Sequence, residues 1–583
     1  MLKTIIPGAA VMALACVSHA NAALVISDQK TQNVDCVGNI CTDIAADAVL
    51  NAKDLKTLLR RHDAQIATTA LAKDIVFDTK FQWTSRYRLR FEAYGSVTFN
   101  FAVTSEGKGG VILNTNDGGA GGDYTFSEKG KLTFWDTSSN LMINGVRYKL
   151  VADLPTLASD MQAKPSGVFA LSNGYDASVD GVYANSPIAV SFSGKLEGLG
   201  HAFSNLSIDD GGGEEYAGLM QELAATGVVR DLRLVGLNLH ADHVAAAGGM
   251  TGHNLGTLQN VSASGTVNAA VAGGIAGDSR GGTVVNAYSS ATVIATAKGG
   301  GIVGDVVTRI SHSLFDGSVS SAKEAGGIAA VVNGPMTDCR STGSVTGTGY
   351  VGGLVGEISG GAAISASSST GQITQKTAAK GKRGEATNST GGLVGYSAQG
   401  TIENSYSTAT VEGDTFVGGL VGYQKGGQIN TSFATGAVSG NGSVGGLAGY
   451  NTGSIKQDYA FGAVTLGSDQ GYAGGLIGQE NGKTAQSYST GLVTGPSSYL
   501  GGLIGVEVPT STGNKWDYWD LDTSGISNSA QGAGFPANDP GISGLSDVEL
   551  KSGVPSGFDF AVWRQSPDIN GGYPYLLSNP PPQ

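Results

Sequence analysis

Residues 418–440 read Gly-Gly-Leu-Val-Gly-Tyr-Gln-Lys-Gly-Gly-Gln-Ile-Asn-Thr-Ser-Phe-Ala-Thr-Gly-Ala-Val-Ser-Gly. Glycine interrupts this stretch too often for the 3.6-residue periodicity of an amphipathic helix. Two or three short apolar segments instead alternate with Gly, Asn and Ser turns, which is typical of β-strands. The stretch opens with a Gly-Gly-apolar-x-Gly element, and the recurrence of that element along the chain decides the fold class.

The element occurs ten times between residues 248 and 505, and the copy at Gly326 lacks its last glycine. Its first glycines are Gly248, Gly273, Gly300, Gly326, Gly352, Gly391, Gly418, Gly445, Gly474 and Gly501. Eight of the nine intervals lie between 25 and 29 residues, and the ninth is 39. A fixed period in this range predicts a solenoid. About 27 extended residues can circle a small core once, and turns stacked at roughly 4.8 Å pair most backbone groups. We therefore predict an all-β parallel β-helix.

Aligned repeats place equivalent side chains in columns along the solenoid. One column contains Tyr288, Leu314, Tyr406, Phe433, Tyr459 and Tyr488, with Arg340 as an exception. We interpret it as a packing ladder rather than a carbohydrate platform, because stacked rings supply burial at low entropic cost. The preceding column contains Ala287, Ser313, Cys339, Ser405, Ser432 and Ser487, with Asp458 as an exception. Cys339 is therefore predicted to be a buried, inert thiol.

The composition agrees with an all-β chain and excludes several other classes. Gly accounts for 92 of 583 residues, and 40% of residues are hydrophobic against 14% charged, so the chain is not a disordered acidic protein. Gly does not fall at every third position and Pro numbers only 15, which excludes collagen. The net charge of −13 argues against nucleic acid as a partner, because phosphate binding needs a basic surface.

The first 22 residues read as a secretory signal peptide. Lys3 precedes a short apolar stretch, and Ala20-Asn21-Ala22 has the small-x-small pattern of a cleavage site. No later apolar run is long enough for a transmembrane segment after signal removal. We expect a secreted or cell-surface protein, with the periplasm as the alternative. Cys36 and Cys41 are then predicted to close a small disulfide loop in an oxidising compartment.

The remaining patterns divide the chain into five regions. These are the signal peptide (1–22), a β-rich region with short helices (23–165), early irregular rungs (166–247), the repeat β-helix (248–515), and an irregular C-terminal cap with a Pro-rich tail (516–583). One short helix is predicted within residues 43–61 and another over 153–162, where Asp153 is the N-cap. Residues 97–103 alternate Val, Phe, Phe and Val with polar or small residues, which predicts a single strand.

The Gly-Gly-Leu-x-Gly element resembles the GLUG motif of bacterial surface proteins, notably filamentous-haemagglutinin-like adhesins, and of some IgA-cleaving peptidases. Residues 192–208 resemble the rung that often precedes such repeats. Residues 516–525 and 570–576 resemble their usual C-terminal cap. The resemblance implies a secreted or surface-exposed β-helix, often an adhesive one. Our first hypothesis is an exported, non-enzymatic, adhesin-like rod that binds a host, cell or bacterial-surface glycan or protein through its loops. It identifies neither the receptor nor the export partner.

Two basic groups are candidate binding sites on this acidic chain. The 39-residue interval contains an insertion near residues 376–387. Its basic residues are Lys376, Lys380, Lys382 and Arg383. Insertions in solenoids project as loops and often carry binding. Arg86, Arg88 and Arg90 form the other basic stripe. Either group suits a sulfated or acidic glycan, and the alternative for both is a solvated surface without a ligand.

The sequence contains no recognisable catalytic constellation, so we predict a protein that is not an enzyme and needs no cofactor. No His is followed by Glu, which excludes the His-Glu-x-x-His zinc motif. His240, Asp242, His243 and His253 form the one histidine cluster, which we interpret as solvated loop residues. A polysaccharide lyase or glycosidase stays open as an alternative, because its carboxylates can be assembled across rungs. A periplasmic structural scaffold is the third hypothesis.

One segment near the C-terminus resembles a calcium-binding loop. Asp520, Asp522 and Ser524 occupy positions 1, 3 and 5 of an EF-hand pattern. Position 12 is Gln531 instead of the bidentate Glu, and no flanking helices are evident. Calcium is therefore the one ion that we consider as a ligand of this chain.

Overall fold

A computed structural model describes residues 22–119, 121–376, 388–508 and 513–582. In these ranges the chain is almost entirely β, and the predicted parallel β-helix is confirmed, with about 19 turns of about 27 residues. The chain forms two compact units. Unit 1 comprises the described residues up to Ala152, with Phe169–Asn173 and Leu199–His201. Unit 2 comprises Asp153–Val168, Gly174–Gly198 and the described residues from Ala202 onward.

Unit 1 is a β-helix whose turns contribute strands to three sheets. The first sheet contains Ala23–Ser27, Val49–Asn51, Asp74–Phe77, Val97–Phe99 and Tyr124–Phe126. The second contains Phe81–Trp83, Ala102–Ser105 and Lys131–Phe134. The third contains Ile40–Asp43, Ala64–Ala67, Leu89–Glu92, Val111–Asn114 and Leu141–Ile143. Val34–Val37 and Val146–Val151 pair with the third sheet in antiparallel fashion, and Val168–Leu171 pairs with Val146–Val151 in parallel.

The prediction of a single strand over residues 97–103 is wrong. The chain forms two strands there, Val97–Phe99 and Ala102–Ser105, which belong to different sheets. Asn100 makes the corner between them, and its backbone N–H donates to the carbonyl of Phe77 at 2.9 Å. Phe101 consequently faces outward and is half-buried. An apolar alternation continues across such a corner, so the pattern alone does not reveal the break.

The short helices and the disulfide lie outside the regular turns. Helix α1 spans Ala52–Leu59 and buries Leu55 and Leu59 against unit 1. Helix α2 spans Leu154–Ala163, and the Asp153 side chain accepts from the Thr156 N–H at 2.7 Å, which confirms the predicted N-cap. Cys36 and Cys41 lie opposite each other in the antiparallel hairpin and are joined by a disulfide bond.

Unit 2 is built from turns that contain up to five short strands. In one turn they are Phe416–Gly418, Val421–Lys425, Gln428–Asn430, Phe433–Ala434 and Val438–Gly440. Each strand pairs in parallel with its counterpart one turn later, for example Phe416–Gly418 with Ser443–Gly445. The second and third strands of a turn lie in one sheet, and the first, fourth and fifth lie in another.

The remaining strands of unit 2 occupy the same five columns. The first column contains Tyr216–Ala217, Ala246–Gly248, Glu324–Gly326, Tyr350–Gly352, Ser389–Gly391, Ser443–Gly445, Tyr472–Gly474 and Leu500–Gly501. The second contains Ile188–Phe192, Met220–Leu223, Thr251–Asn254, Ala329–Val332, Val355–Ile358, Val394–Ala398, Ala448–Asn451, Ile477–Glu480, Ile504–Glu507 and Ala533–Phe535. The third contains Lys195–Glu197, Val228–Arg230, Thr257–Gln259, Met336–Thr337, Ala363–Ser365, Thr401–Glu403, Ser454–Lys456 and Lys483–Ala485.

The fourth and fifth columns complete each turn. The fourth contains Tyr175–Asp176, Ala202–Ser204, Tyr288–Ser289, Leu314–Phe315, Arg340–Ser341, Ser368–Ser369, Tyr406–Ser407, Tyr459–Ala460, Tyr488–Ser489, Asp517–Asp520 and Ile542–Leu545. The fifth contains Val182–Tyr183, Ser207–Asp209, Ser318–Ser321, Ser344–Gly347, Gln372–Gln375, Thr410–Glu412, Val464–Leu466 and Val493–Thr494. Five longer strands bridge two or more columns, namely Arg233–Ala241, Ser262–Gly273, Ala276–Val285, Thr292–Gly300 and Val303–Ser311.

The glycine motif marks the place where successive turns approach most closely. A Cβ atom on Gly419 would lie 2.1 Å from the carbonyl oxygen of Gly446 in the next turn. A Cβ atom on Gly422 would lie 2.6 Å from the carbonyl oxygen of Gly395 in the preceding turn. Between these glycines the Leu420 N–H donates to the Leu447 carbonyl at 2.8 Å, and both leucine side chains are buried. The repeat therefore requires glycine for space.

The predicted aromatic column is confirmed as a packing ladder. The rings of Tyr406, Phe433 and Tyr459 stack with centroids 5.0 and 4.7 Å apart and planes within 6°. Tyr488 continues the stack at 5.4 Å. The register adds Ser368 between Arg340 and Tyr406, and Tyr518 after Tyr488. Residues 546–578 pack over the outer side of this ladder, where Leu550, Phe558, Trp563 and Leu576 complete a buried cluster.

This covering segment is short and has its own local structure. Helix α3 spans Asp547–Lys551 and begins with a capping box formed by Ser546 and Glu549. A small antiparallel pair joins Trp563–Arg564 to Tyr575–Leu576. In the described part of unit 2, the helical elements besides α2 and α3 are two 3-10 turns, Ala177–Asp180 and Asn570–Gly572. The segment shields Phe433, Tyr459 and Tyr488 from solvent, so these rings cannot act as a ligand platform.

The column of small side chains forms a ladder of hydrogen bonds inside unit 2. The backbone N–H of Ser405 donates to the hydroxyl of Ser432 at 3.2 Å, and that hydroxyl donates to the Asn430 carbonyl at 2.9 Å. Cys339 occupies one rung of this ladder and is fully buried. Burial raises the pKa of the Cys339 thiol to about 12. The predicted burial of Cys339 is confirmed, and the raised pKa keeps its thiol protonated at neutral pH.

Candidate functional site

Two columns of outward-facing side chains run beside each other on unit 2, one on each side of the glycine motif. The first column lies two residues before the first motif glycine, and the second directly follows the last motif glycine. Toward the C-terminus many of their members are aromatic: Tyr350, Phe416, Tyr472 and Tyr499 in the first column, and Tyr396, Tyr423, Tyr450 and Phe535 in the second. We call these eight side chains the aromatic strip.

The rings at the start of the strip cover one another. Tyr350 and Tyr396 stack with centroids 4.7 Å apart and planes 12° apart, and Tyr423 and Tyr450 stack at 4.8 Å and 17°. Stacked rings present their edges and hydroxyl groups to solvent, while their faces are used internally. Burial and then the neighbouring Tyr396 raise the pKa of Tyr350 to about 12. Its phenol therefore stays protonated at neutral pH and can donate a hydrogen bond.

The rings at the C-terminal end of the strip are arranged differently. Tyr472 and Tyr499 meet edge to face with centroids 5.5 Å apart, and Tyr499 and Phe535 do so at 6.1 Å and 81°. This geometry leaves ring faces uncovered, and Tyr499 and Phe535 are 39% and 53% exposed. In the second column Gln479 and then Val506 separate Tyr450 from Phe535, and the Gln479 amide oxygen accepts from the Ser443 hydroxyl at 3.2 Å. Exposed apolar surface of this kind often marks a ligand-binding surface.

Toward the N-terminus the same two columns carry charges instead of rings. Lys298 Nζ lies 2.8 Å from Asp305 and 3.9 Å from Glu324, and Arg280 lies 3.5 Å from Asp305. We call Arg280, Lys298, Asp305, Glu324 and Glu357 the ionic cluster. Burial raises the pKa of Glu324, and Lys298 opposes that shift. Burial, and then Glu324, raise the pKa of Glu357.

The histidines that stood out in the sequence are separated in the structure. His240 Nε2 lies 2.9 Å from Asp242, and both side chains are about half-exposed. His253 instead stacks on Tyr216 at 4.7 Å and faces Asp278, with Nδ1 3.4 Å from its carboxylate. No group of three or more His, Cys, Asp or Glu side chains is arranged to hold a metal ion within the part of the chain that the structure describes.

Of the two basic groups predicted from the sequence, the structure describes the arginine stripe in full and the insertion loop only in part. Arg88 is paired with Asp63 at 2.8 Å and Arg90 is paired with Glu92, so carboxylates offset both charges. Arg86 lies over the Tyr87 ring at 5.8 Å. Lys376 is exposed at the start of the insertion. Lys380, Lys382 and Arg383 lie outside the described residues, so binding by this loop stays a prediction.

The calcium-loop candidate uses its polar atoms for local structure. Asp520 is buried, and its Oδ1 accepts from the Asp522 N–H at 2.9 Å, while its Oδ2 accepts from the Tyr573 hydroxyl at 3.2 Å. Asp522 Oδ2 accepts from the Asp547 N–H at 2.9 Å, and Ser524 Oγ accepts from the Ile526 N–H at 3.3 Å. These bonds secure a turn and the covering segment. Calcium binding here stays a prediction.

Sequence reasoning missed the aromatic strip, although a signal for it exists. Residues 416–423 read Phe-Val-Gly-Gly-Leu-Val-Gly-Tyr, so an aromatic residue stands on each side of the motif. Extending the repeat alignment by two residues before the motif and one after it would reveal both columns. The alignment does not show that both columns face outward and lie side by side, because that depends on how the chain turns at the motif.

Three comparisons with known proteins bear on this chain. The GLUG motif model matches residues 386–412, one copy of the repeat, and supports the GLUG repeat prediction. Halomucin from Haloquadratum walsbyi is 33% identical over 140 residues, a match that covers 23% of this chain and 1% of halomucin. A solved structure of a proposed immunoglobulin A1 protease from Bacteroides ovatus is 16% identical, covering 74% of this chain and 93% of that chain, with a TM-score of 0.25. That score is too low to assign a shared fold or function.

The comparisons leave the finer expectations open. The resemblance to filamentous-haemagglutinin-like adhesins stays a prediction, as does export by a signal peptide, because residues 1–21 lie outside the described ranges. Within those ranges, no helix has both the length and the apolar character needed to cross a bilayer.

Proposed function

We propose that this chain is an exported, non-enzymatic, adhesin-like β-helix that binds glycans through the aromatic strip of unit 2. The observation that carries the proposal is the exposure of Tyr499 and Phe535 at the C-terminal end of the aromatic strip. A pyranose ring has an apolar C–H face that packs on an aromatic ring, and hydroxyl groups that hydrogen-bond to phenols and amides. Tyr472, Tyr499 and Phe535 supply the rings, and Gln479 supplies the amide.

The regular spacing of the strip favours an extended ligand over a small molecule. Its members occupy two fixed positions beside the motif, so successive rings of a column lie one to three turns apart, each turn adding roughly the 4.8 Å spacing of paired strands. A polysaccharide also presents equivalent groups at regular intervals. Many weak contacts along such a chain add up through multivalency, which is how an adhesin holds a surface without a deep pocket.

Removing the two exposed rings is expected to weaken glycan binding. In the mature full-length chain, Tyr499→Ala combined with Phe535→Ala should lower affinity about tenfold or more, since each ring contact contributes about 0.5–1.5 kcal/mol. A glycan array identifies the best-binding glycan, and calorimetric titration with it measures the loss. Phe560→Ala is the matched control, because Phe560 is 63% exposed but lies outside the strip.

Two results would contradict the role of the strip. One is wild-type affinity in the double variant, and the other is an equal loss in the Phe560→Ala control. The thermal midpoint is measured in parallel, because both strip residues are exposed and their removal should leave it nearly unchanged. A large drop in the thermal midpoint would show that any loss of binding comes from unfolding and not from the lost contacts with the glycan.

The proposed location is tested separately from binding. Intact cells are treated with a protease, and the mature chain is detected with a periplasmic protein as the control. Digestion of this chain, with the periplasmic marker protected, supports surface exposure. Protection of both proteins contradicts an adhesin and favours the periplasmic scaffold.

The ionic cluster supports a second candidate function, a polysaccharide-active enzyme. Asp305 and Glu324 approach the same lysine ammonium across adjacent turns. Glycosidases need two carboxyl groups near one bond, one of them with a raised pKa so that it can act as an acid. The pKa of Glu324 is raised by burial, and one of its carboxylate oxygens is buried without a hydrogen-bond partner.

This candidate predicts turnover that depends on Glu324. If the cluster is catalytic, Glu324→Gln should reduce the release of reducing ends or unsaturated products from a polysaccharide panel at least about 100-fold, because a positioned acid contributes that much. Tyr499→Ala serves as the control for binding without chemistry. If the wild-type chain turns over neither neutral nor acidic glycans, the enzymatic function is contradicted and the adhesin proposal stands.

A further inference from the structure

Unit 1 contains a basic depression on the outer side of its second sheet. The depression has a volume of about 510 Å³ and is lined by Lys80, Phe101, Ala102, Glu128, Lys129 and Lys131. Three lysines against one glutamate give these lining residues a local charge of +2, on a chain whose net charge is −13. None of the three lysines makes an ion pair or side-chain hydrogen bond in the described part of the chain. Their charges are therefore available to a ligand.

The β-helix explains why a depression forms at this point. Ala102 pairs with Lys131 in the next turn, and Val103 pairs with Phe81 in the preceding turn, which puts Lys80 level with Ala102. Two lysines thus stand two turns apart, roughly 9.6 Å at 4.8 Å per strand spacing, with only an alanine methyl between them. The lysine stems form the walls and Ala102 forms the floor. Phe101, turned outward by the corner at Asn100, adds an aromatic side.

An exposed tryptophan lies farther along the same face. Trp135 is 67% exposed, which is unusual for so large an apolar side chain. Lys131 and Thr133 alternate with the buried Leu132 and Phe134 in the strand Lys131–Phe134, and Trp135 takes the next outward position directly after the strand ends. Four residues of extended chain place the tryptophan roughly 13 Å from Lys131. The polar side chain of Thr133 lies between them.

We propose that this face of unit 1 is a binding site for an anionic oligosaccharide. The lysines would pair with a carboxylate or sulfate group in the depression, and Trp135 would pack against the apolar face of a sugar ring farther along the ligand. A single small anion would use only the depression, whereas an extended acidic glycan uses both ends of the face. The site is independent of the aromatic strip and of the function proposed for that strip.

Calorimetric titrations of the mature full-length chain test this site. The probes are an oligogalacturonate, a sulfated dextran oligosaccharide and a neutral dextran oligosaccharide of matched length. We expect measurable binding of at least one anionic probe, at least tenfold weaker binding of the neutral probe, and affinity that falls with added salt. Binding of the oligogalacturonate alone identifies carboxylate recognition, and binding of the sulfated probe alone identifies sulfate recognition.

Two sets of variants locate the binding. Lys80→Gln combined with Lys131→Gln should weaken binding of the anionic probe at least tenfold, and Trp135→Ala should weaken its binding about fivefold or more. Lys53→Gln combined with Lys56→Gln is the control, because it removes the same charge from helix α1 of the same unit. The strip variants Tyr499→Ala and Phe535→Ala should leave binding of the anionic probe unchanged.

Three results would overturn the site. They are wild-type affinity in the Lys80 and Lys131 double variant, an equal loss in the Lys53 and Lys56 control, or no preference of the wild-type chain for anionic over neutral probes. Loss of neutral-glycan binding in the strip variants, with the anionic probe unaffected, distinguishes failure here from failure of the proposed function.

Discussion

Gly419→Ala is expected to destabilise the repeats around it by about 3 kcal/mol or more, although it adds a single methyl group. The added Cβ would lie 2.1 Å from the Gly446 carbonyl oxygen and 2.9 Å from the Ala434 Cβ. The first contact is with backbone that belongs to the next turn. Relieving it means separating two turns that are joined by hydrogen bonds, such as the one from the Leu420 N–H to the Leu447 carbonyl.

Thermal melting and amide hydrogen exchange measure this effect. Solenoid turns contact mainly their neighbours, so exchange should accelerate most in the turns that begin at Gly418 and Gly445. Gly553→Ala is the control, because a Cβ atom there has no neighbour within 4 Å. Equal melting midpoints for the two variants would contradict close packing at the motif.

Asp458→Ser is expected to stabilise the protein at neutral and alkaline pH, by about 2 kcal/mol at pH 8. Asp458 is fully buried in the column of small side chains, and burial raises its pKa well above 3.8. Its carboxylate accepts from the N–H groups of Ser432 at 2.7 Å and Lys456 at 2.8 Å, which offsets only part of that shift. A serine hydroxyl occupies the equivalent position in neighbouring turns without carrying charge.

The pH dependence follows from the direction of the shift. In the unfolded chain the carboxyl group loses its proton near pH 3.8, whereas in the folded chain it retains the proton to higher pH. The unfolded state therefore binds fewer protons between these two pKa values, and stability falls as pH rises through that window. The variant and the wild type should differ little in this respect near pH 3 and diverge above it.

Urea unfolding at several pH values checks this prediction. Ser432→Asp is the reciprocal control and should destabilise the protein in the same pH window, since it adds a buried carboxyl group next to Asp458 in a column that already contains Asp458 and Asp517. A wild-type chain that is more stable than Asp458→Ser at pH 8 would show that the two backbone hydrogen bonds outweigh the cost of burial.

The solenoid could be predicted from the sequence because the motif glycines recur at the period of its turns. The motif glycines are required by close backbone contacts, so they recur wherever a turn stacks on the next. The same alignment correctly placed Tyr406, Phe433, Tyr459 and Tyr488 in one column. The alignment missed Ser368, which lies in the turn directly before the insertion near residues 376–387. It also missed Tyr518, which lies in a turn without a motif.

Features that depend on the third dimension were harder to predict. The corner at Asn100 divides an uninterrupted apolar alternation, so the outward turn of Phe101 and the depression beside it have no sequence signal. Lys298 pairs with Asp305 across the motif of its own turn and with Glu324 in the next turn, and the spacing between turns varies by several residues. Arg88 and Arg90 appeared as a free basic stripe because Asp63 is distant in sequence and Glu92 lies beyond the stripe.

The distinction between packing rings and binding rings also needed the structure. Both aromatic sets occupy fixed positions relative to the motif and consist mainly of Tyr and Phe. The difference is that residues 546–578 cover the ladder around Tyr459, whereas Tyr499 and Phe535 keep exposed ring surface. Sequence periodicity reports that a column exists, but not which side of the solenoid another segment will cover.

Hydroxyl-radical footprinting of the mature chain, with and without a bound polysaccharide, shows which aromatic side chains the ligand covers. It compares the oxidation of exposed aromatic side chains without changing the protein. We expect the ligand to protect Tyr499 and Phe535 from oxidation, while Phe560 is oxidised equally in both samples. Protection confined to other side chains, with Tyr499 and Phe535 oxidised as in the free protein, would contradict glycan binding by the aromatic strip.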